Sequence, residues 1–145
     1  MLIAAQNRKA RYNYFFIEVF EAGIQLMGSE IKSLRDGRVD ISESFAREVN
    51  NEIFLINSYF SKYASSSYMN HDESRPRKLL LHKKEIQKIS GKIKKESLTL
   101  IPTKIYFNKK GIAKLEIALS KGKKLHDKRE VKKKRSWERE KKTIR

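Results

Sequence analysis

The feature that most limits the fold is the point at which large apolar residues run out. Residues 121–145 carry only Leu125, Val131, Trp137 and Ile144 in that class. So few, so far apart, cannot form the continuous stripe that a packed helix or strand buries. The core must therefore come from the first 120 residues, enough for one domain with a modest interior. Charge divides the chain at the same place. Residues 121–145 hold 13 Lys and Arg against 4 Asp and Glu, while the first 120 hold 21 against 13. More than half of the net +17 thus lies in the last sixth of the chain. A block of that kind repels itself, resists burial and favours a polyanion. We read residues 1–120 as the body and 121–145 as a basic tail, disordered when free and helical when bound.

Within the body, Tyr12 to Phe20 alternates in a strand-like way. Glu21-Ala22-Gly23 reads as a turn or bulge, and the alternation of Ile24, Leu26, Gly28 and Glu30 predicts a strand that pairs back. Asp40-Ile41-Ser42-Glu43 has capping-box spacing and predicts a short helix to about Glu48, broken by Asn50-Asn51. Glu52 to Tyr63 reads as a strand and the stretch from Ser65 to Pro76 as a polar loop. Leu79, Ile86, Ile89 and Ile93 fall on one helical stripe opposite Lys83, Lys84, Lys88, Lys92 and Lys95. Gly91 weakens that helix by roughly 1 kcal/mol relative to Ala. Leu98 to Phe107 and Ile112 to Leu119 predict two strands joined by Asn108-Lys109-Lys110-Gly111. Five or six short strands with inserted helices give a mainly β chain, a small closed or partly open barrel.

Several chemistries find no support. There is no cysteine, so disulfides and thiolate metal sites are excluded. His71, His82 and His126 stand apart, without the convergent ligands that zinc needs, and read as surface or capping residues. Ser65-Ser66-Ser67 has no nucleophile-elbow context, and Lys121-Gly122-Lys123-Lys124 lacks the spacing of a phosphate-binding loop. We expect no catalytic site, no metal and no cofactor. No apolar run is long enough to span a bilayer, nor is the N-terminus a signal-peptide core, so the expectation is a cytoplasmic protein.

The positive signal is basic. Clustered Lys and Arg gain from phosphate neutralisation with counterion release, which makes nucleic acid the leading partner and anionic membrane its rival. Arg75-Pro76-Arg77-Lys78 stands at the mouth of the apolar Leu79-Leu80-Leu81. In the tail, Trp137 lies outside any core, where it can stack on a base or stabilise a bound helix, and His126 among basic residues can stack likewise.

Five ordered motifs then resemble one family. They are Asn7-Arg8-Lys9-Ala10-Arg11, Phe20-Glu21-Ala22-Gly23, Gly28-x-Glu30-Ile31-Lys32-Ser33-Leu34-Arg35, Arg77-Lys78-Leu79-Leu80-Leu81 and Lys121-Gly122-Lys123-Lys124-x-His126-Asp127-Lys128-Arg129. Together they resemble the SsrA-binding (tmRNA-binding, SmpB) family from about Asn7 to the end. The resemblance implies an oligonucleotide-binding-type (OB-fold-like) barrel with packed helices and no catalytic step. It implies binding to the tRNA-like domain of tmRNA and delivery to stalled ribosomes, with elongation factor Tu in the complex. Ribosome rescue and peptide tagging follow. Carried over by position, the RNA-binding residues are Asn7, Arg8, Lys9, Arg11, Glu21, Arg77, Lys78, Leu80 and Lys114. The tail group that faces small-subunit rRNA at the decoding centre and empty mRNA channel is Lys123, Lys124, His126, Asp127, Lys128, Arg129, Trp137 and Ile144.

Glu21 fits an RNA surface because a carboxylate accepts hydrogen bonds from base amino groups. Two positions depart from the family: Ser29 stands where Trp is usual, and His82 where Asn is usual. The first removes a packing aromatic that must be compensated elsewhere; the second leaves a poorer N-cap, with Glu85 kept as its partner. A monomer is expected. The alternative is a general OB-fold RNA-binding or ribosome-associated protein; a basic nuclease would need a clustered acid, base or metal site.

Overall fold

The computed structural model describes residues 2–63 and 70–123. The elements run β1 (Leu2–Gln6), α1 (Ala10–Asn13), β2 (Tyr14–Ile24), α2 (Gly28–Arg35), β3 (Val39–Asp40), β4 (Phe45–Val49), β5 (Glu52–Ile56), β6 (Tyr59–Phe60), β7 (Arg77–Leu80), α3 (Lys83–Glu96), β8 (Thr99–Phe107) and β9 (Ala113–Gly122). Hydrogen bonding passes from β8 through β4, β5, β7, β2 and β9 and returns to β8, closing an antiparallel ring. β1 flanks the end of β8, while β4 meets β8 only at Ala46 opposite Leu100. Closure removes the exposed edges that a basic, strand-rich chain would otherwise present. Leu55, Ile105, Leu115, Ile117 and Leu119 are completely buried inside the ring, and Ile89 of α3 packs against them.

The expected barrel is present, but several local readings change. β2 does not turn at Gly23; it continues to Ile24. The predicted strand after it is instead helix α2, because Glu30 Oε1 accepts the Met27 amide at 2.7 Å and so starts a helix at Gly28. The predicted helix from Asp40 is an Asx turn followed by β4. Asp40 Oδ1 accepts from the Ser42 amide at 2.8 Å and from its hydroxyl at 2.7 Å. These bonds hold the Asp40 carboxyl below its ordinary pKa. The residue types that cap helices also close such turns, so the pattern was ambiguous. Asn50 and Asn51 adopt positive φ and join β4 to β5 as a hairpin. Leu79 leaves the helical stripe altogether: it belongs to β7, and α3 begins only at Lys83. The strand β1 was not anticipated, and β9 runs through Gly122, past the expected boundary of the body. The β8–β9 turn falls where expected, with Gly111 at φ +76°.

A buried ion cluster ties the loop before β7 to α2. The Glu30 carboxylate, fully buried, accepts from Arg77 Nε at 2.5 Å, from Arg75 Nε at 3.1 Å and again from the Arg75 fork. Burial alone would raise the Glu30 pKa; bonds from Arg75, the Met27 amide and Arg77 overturn that and leave it below the usual range. Arg77 also donates to Ser58 Oγ at 3.1 Å and to the Asp72 and Glu73 carbonyls at 3.2 Å, with its guanidinium 4.0 Å from the Phe60 ring centre. Arg77 was expected on the RNA surface. It is instead completely buried and committed to the core.

His71 likewise is buried rather than on the surface. Its Nδ1 meets Ser29 Oγ at 2.8 Å and its Nε2 meets the Phe60 carbonyl at 2.8 Å. Ser29 thus takes part in a buried serine–histidine hydrogen bond.

Candidate nucleic-acid interface

Strand register builds the site. Gly23 of β2 pairs with Leu80 of β7 on one side and with Lys114 of β9 on the other, and Lys114 pairs in turn with Tyr106 of β8. Directly opposed residues in antiparallel strands share a face. Their neighbours Ala22, Leu79, Leu115 and Ile105 point into the core, so Leu80, Gly23 and Lys114 face away from it, while Tyr106 at the end of the row is itself buried. Glu21, two residues before Gly23, joins the same face.

The row opens into a groove of about 650 Å³ lined by Glu21, Gly23, Lys78, Leu80, His82 and Lys114, among others. Leu80, at the end of the row, is 47% exposed. Gly23 lets Leu80 lie close: a Cβ on it would stand 3.1 Å from Leu80 Cβ, so the leucine would have to give by a few tenths of an ångström. The Tyr106 hydroxyl donates to Glu21 Oε2. Burial, and then the Glu21 carboxylate, raise the Tyr106 pKa, so the phenol remains a donor at neutral pH. Lys78 pairs with Glu52 at 3.4 Å on the rim. Lys114 has no carboxylate partner within 4.0 Å among the described residues. The groove therefore offers an oriented carboxylate acceptor, a free cation and an exposed apolar side chain. Groups of these three kinds can accept base amino hydrogens, neutralise phosphate and support a base face, respectively.

A family model described as "SmpB protein" matches residues 4–145. The chain belongs to the SsrA-binding protein family. It is similar to the SsrA-binding protein of Afipia carboxidovorans, 55% identical over 139 residues, 96% of this chain and 88% of that one. The SsrA-binding protein of Sinorhizobium fredii is 53% identical, over 96% and 87% of the two chains. A solved structure described as "tmRNA-SmpB: a journey to the center of the bacterial ribosome" superposes with a TM-score of 0.68 at 50% identity, covering 83% of this chain and 84% of that one.

The other expected residues divide. Asn7 is buried; its amide donates to the Thr103 carbonyl at 2.8 Å and its Nδ2 to the Pro102 carbonyl at 3.1 Å. It fixes the chain to β8 and does not present a side chain to RNA. Arg8, Lys9 and Arg11 are exposed, with Arg11 4.8 Å from the Phe16 ring centre. None of these four lines the groove. Lys123 lies at the far end of the β2–β9 ribbon, where Tyr14 pairs with Gly122. Its amide donates to the Asn13 carbonyl at 2.9 Å, its Nζ to the Arg11 carbonyl at 2.8 Å, and it sits 4.8 Å from the Phe15 ring centre. It lies nine residues along the chain from Lys114, about 30 Å away. Lys124, His126, Asp127, Lys128, Arg129, Trp137 and Ile144 lie outside the described residues.

Tyr106 was missed. The four-residue loop read from the sequence would set Tyr106 opposite Ala113; only the observed register sets it opposite Lys114. His82 holds the N-cap position of α3 without a side-chain cap, while Glu85 accepts its amide at 3.1 Å, the expected half of the capping box.

Proposed function

We propose that this chain works as its family name states: it binds tmRNA and brings it to stalled ribosomes in trans-translation. The observation that carries this reading is the row of Leu80, Gly23 and Lys114 with Glu21 beside it, its carboxylate held from behind by the buried Tyr106. A groove that joins a carboxylate to a free lysine reads bases as well as phosphate, which a merely basic surface does not. The tRNA-like domain is the part bound, and Arg8, Lys9 and Arg11 add phosphate contacts at the flank.

The tail from Lys123 serves a second RNA. Lys123, Lys124, His126, Asp127, Lys128, Arg129, Trp137 and Ile144 address small-subunit rRNA at the decoding centre and the empty mRNA channel. The protein acts as a monomer in the cytoplasm, with elongation factor Tu in the same complex, and makes or breaks no bond.

Filter binding tests the body. The tRNA-like domain of tmRNA should bind at least tenfold more tightly than a matched hairpin, and Leu80→Asp should abolish the difference. With about five phosphates neutralised, log K should fall against log salt with a slope of about −3.5 to −4.5. Equal affinity for the two RNAs would return the protein to a general RNA-binding role. Removing residues 126–145 should leave tmRNA affinity near normal and abolish tagging.

A further inference from the structure

A second groove, of about 310 Å³, runs along α3 and is lined by Glu48, Asn51, Lys83, Ile86, Gly91 and Lys94, among others. Asn51, Lys83 and Ile86 line this groove and the one at Glu21 and Lys114, so the two are continuous around the β4–β5 turn. Two observations on the extension need explanation. The first is charge. Lys83 and Lys94 have no carboxylate within 4.0 Å among the described residues, whereas Lys88 and Lys92 on the same helix are both held by Glu18 at 2.6 and 3.0 Å. The second is Gly91. It lies inside α3 and is exposed, and a Cβ built on it meets nothing within 4 Å. No positive φ requires it. Nothing within the body requires a glycine there, although glycine weakens a helix interior. Glycine without an internal reason, on the wall of a groove, fits close approach of an outside backbone.

We infer that the groove along α3 is an extension of the RNA site and holds the sugar–phosphate backbone of the strand leaving the Glu21–Lys114 groove. Gly91 lets that backbone lie against the helix, and Lys83 and Lys94 neutralise phosphates at either end of the path. Eleven residues of helix separate those lysines, about 16 Å, which is room for more than one phosphate. This rests on the reading that the Glu21–Lys114 groove binds tmRNA.

The test uses the full chain and the tRNA-like domain of tmRNA. Gly91→Ala should raise the melting temperature of the free protein by about 3–5 °C, from restored helix propensity, and at the same time weaken RNA binding at least threefold. A variant both more stable and poorer at binding cannot be explained by misfolding. Lys94→Glu should flatten the log–log salt slope by about 1, while Lys95→Glu, the same charge change on α3 outside the groove, should leave it unchanged. Leu80→Asp is run alongside. If Leu80→Asp abolishes selective binding while Gly91→Ala binds normally, or Lys94→Glu and Lys95→Glu act alike, the extension is wrong and the groove at Glu21 stands. If Leu80→Asp binds as the parent does, the parent reading fails and the extension with it.

Discussion

Replacing Arg77 by methionine separates a core role from an RNA contact. The side chain is completely buried, and its charge is held by Glu30, which is itself completely buried. Met has similar volume and no charge, so Arg77→Met leaves the Glu30 carboxylate with the Met27 amide and with Arg75 as its charged partner, whose side chain is 30% exposed. Breaking one side of a buried pair costs about 3–5 kcal/mol, because the remaining charge keeps its desolvation penalty. Part of the hydrogen bonding to Ser58, Asp72 and Glu73 goes with it. At about 4 °C per kcal/mol for a body of this size, the melting temperature should fall by roughly 12–20 °C.

The assay is a thermal melt by circular dichroism at pH 7, with tmRNA binding measured well below the transition. The double variant Glu30→Met with Arg77→Met removes both buried charges and should recover much of the loss. A melting temperature within about 3 °C of the parent, together with lost tmRNA binding at low temperature, would refute the structural role. It would restore Arg77 to the RNA surface where the motif first placed it.

Acid should act on the same cluster. The folded Glu30 pKa lies below its unfolded value, so its contribution is present at neutral pH and is lost as pH falls through the folded pKa. The gap in melting temperature between the parent and Glu30→Gln should therefore narrow below about pH 4.5; an unchanged gap down to pH 3 in paired melts would contradict this. Tyr106→Phe deletes the donor to Glu21 and should weaken tmRNA binding about 3–10-fold with little change in melting temperature. Placed on Glu21→Gln it should add almost nothing, and additive losses in a double-mutant cycle would show that the hydroxyl does not act through Glu21. Ser29→Ala leaves His71 Nδ1 without its partner in a buried site and should cost about 1–3 kcal/mol, read by urea unfolding. A loss under about 0.3 kcal/mol would show that the serine–histidine bond does not stabilise the body.

The barrel was legible because β5, β8 and β9 have strand patterns with one dominant period. The failures share a physical cause: side chains that bond to nearby backbone fit more than one local structure. Glu30 read as the end of a strand because its alternation with Ile24, Leu26 and Gly28 looked regular. Its carboxylate instead caps Met27 and anchors two arginines, and the second of those partners lies 47 residues away. Asp40 read as a helix start for a similar reason. Leu79 matched a helical offset by coincidence, since three residues of β7 and its exit also fall before Lys83. Alternation along β2 failed at one place, a bulge between Phe16 and Glu18 that returns Phe16 to the outer face beside Ala10, Ile101 and Ala118. No local period encodes that slip; it is visible only in the pairing with β9.

The same distinction separates what charge explains from what the groove explains. A surplus of basic residues favours any polyanion and distinguishes poorly between them. On that argument alone, Glu21 would count against RNA. Register changes its meaning, because it puts Glu21 beside Tyr106, Leu80 and Lys114, where the tyrosine fixes one carboxylate oxygen and Gly23 leaves Leu80 its space. A negative group in a positive body weakens non-specific phosphate binding and accepts hydrogen bonds only where a donor edge is offered. On the proposed reading the lysines would set how tightly RNA is held, and Glu21 would set which RNA. Neutralising Glu21 should therefore cost selectivity more than affinity for an arbitrary hairpin, whereas neutralising Lys114 should weaken both RNAs together.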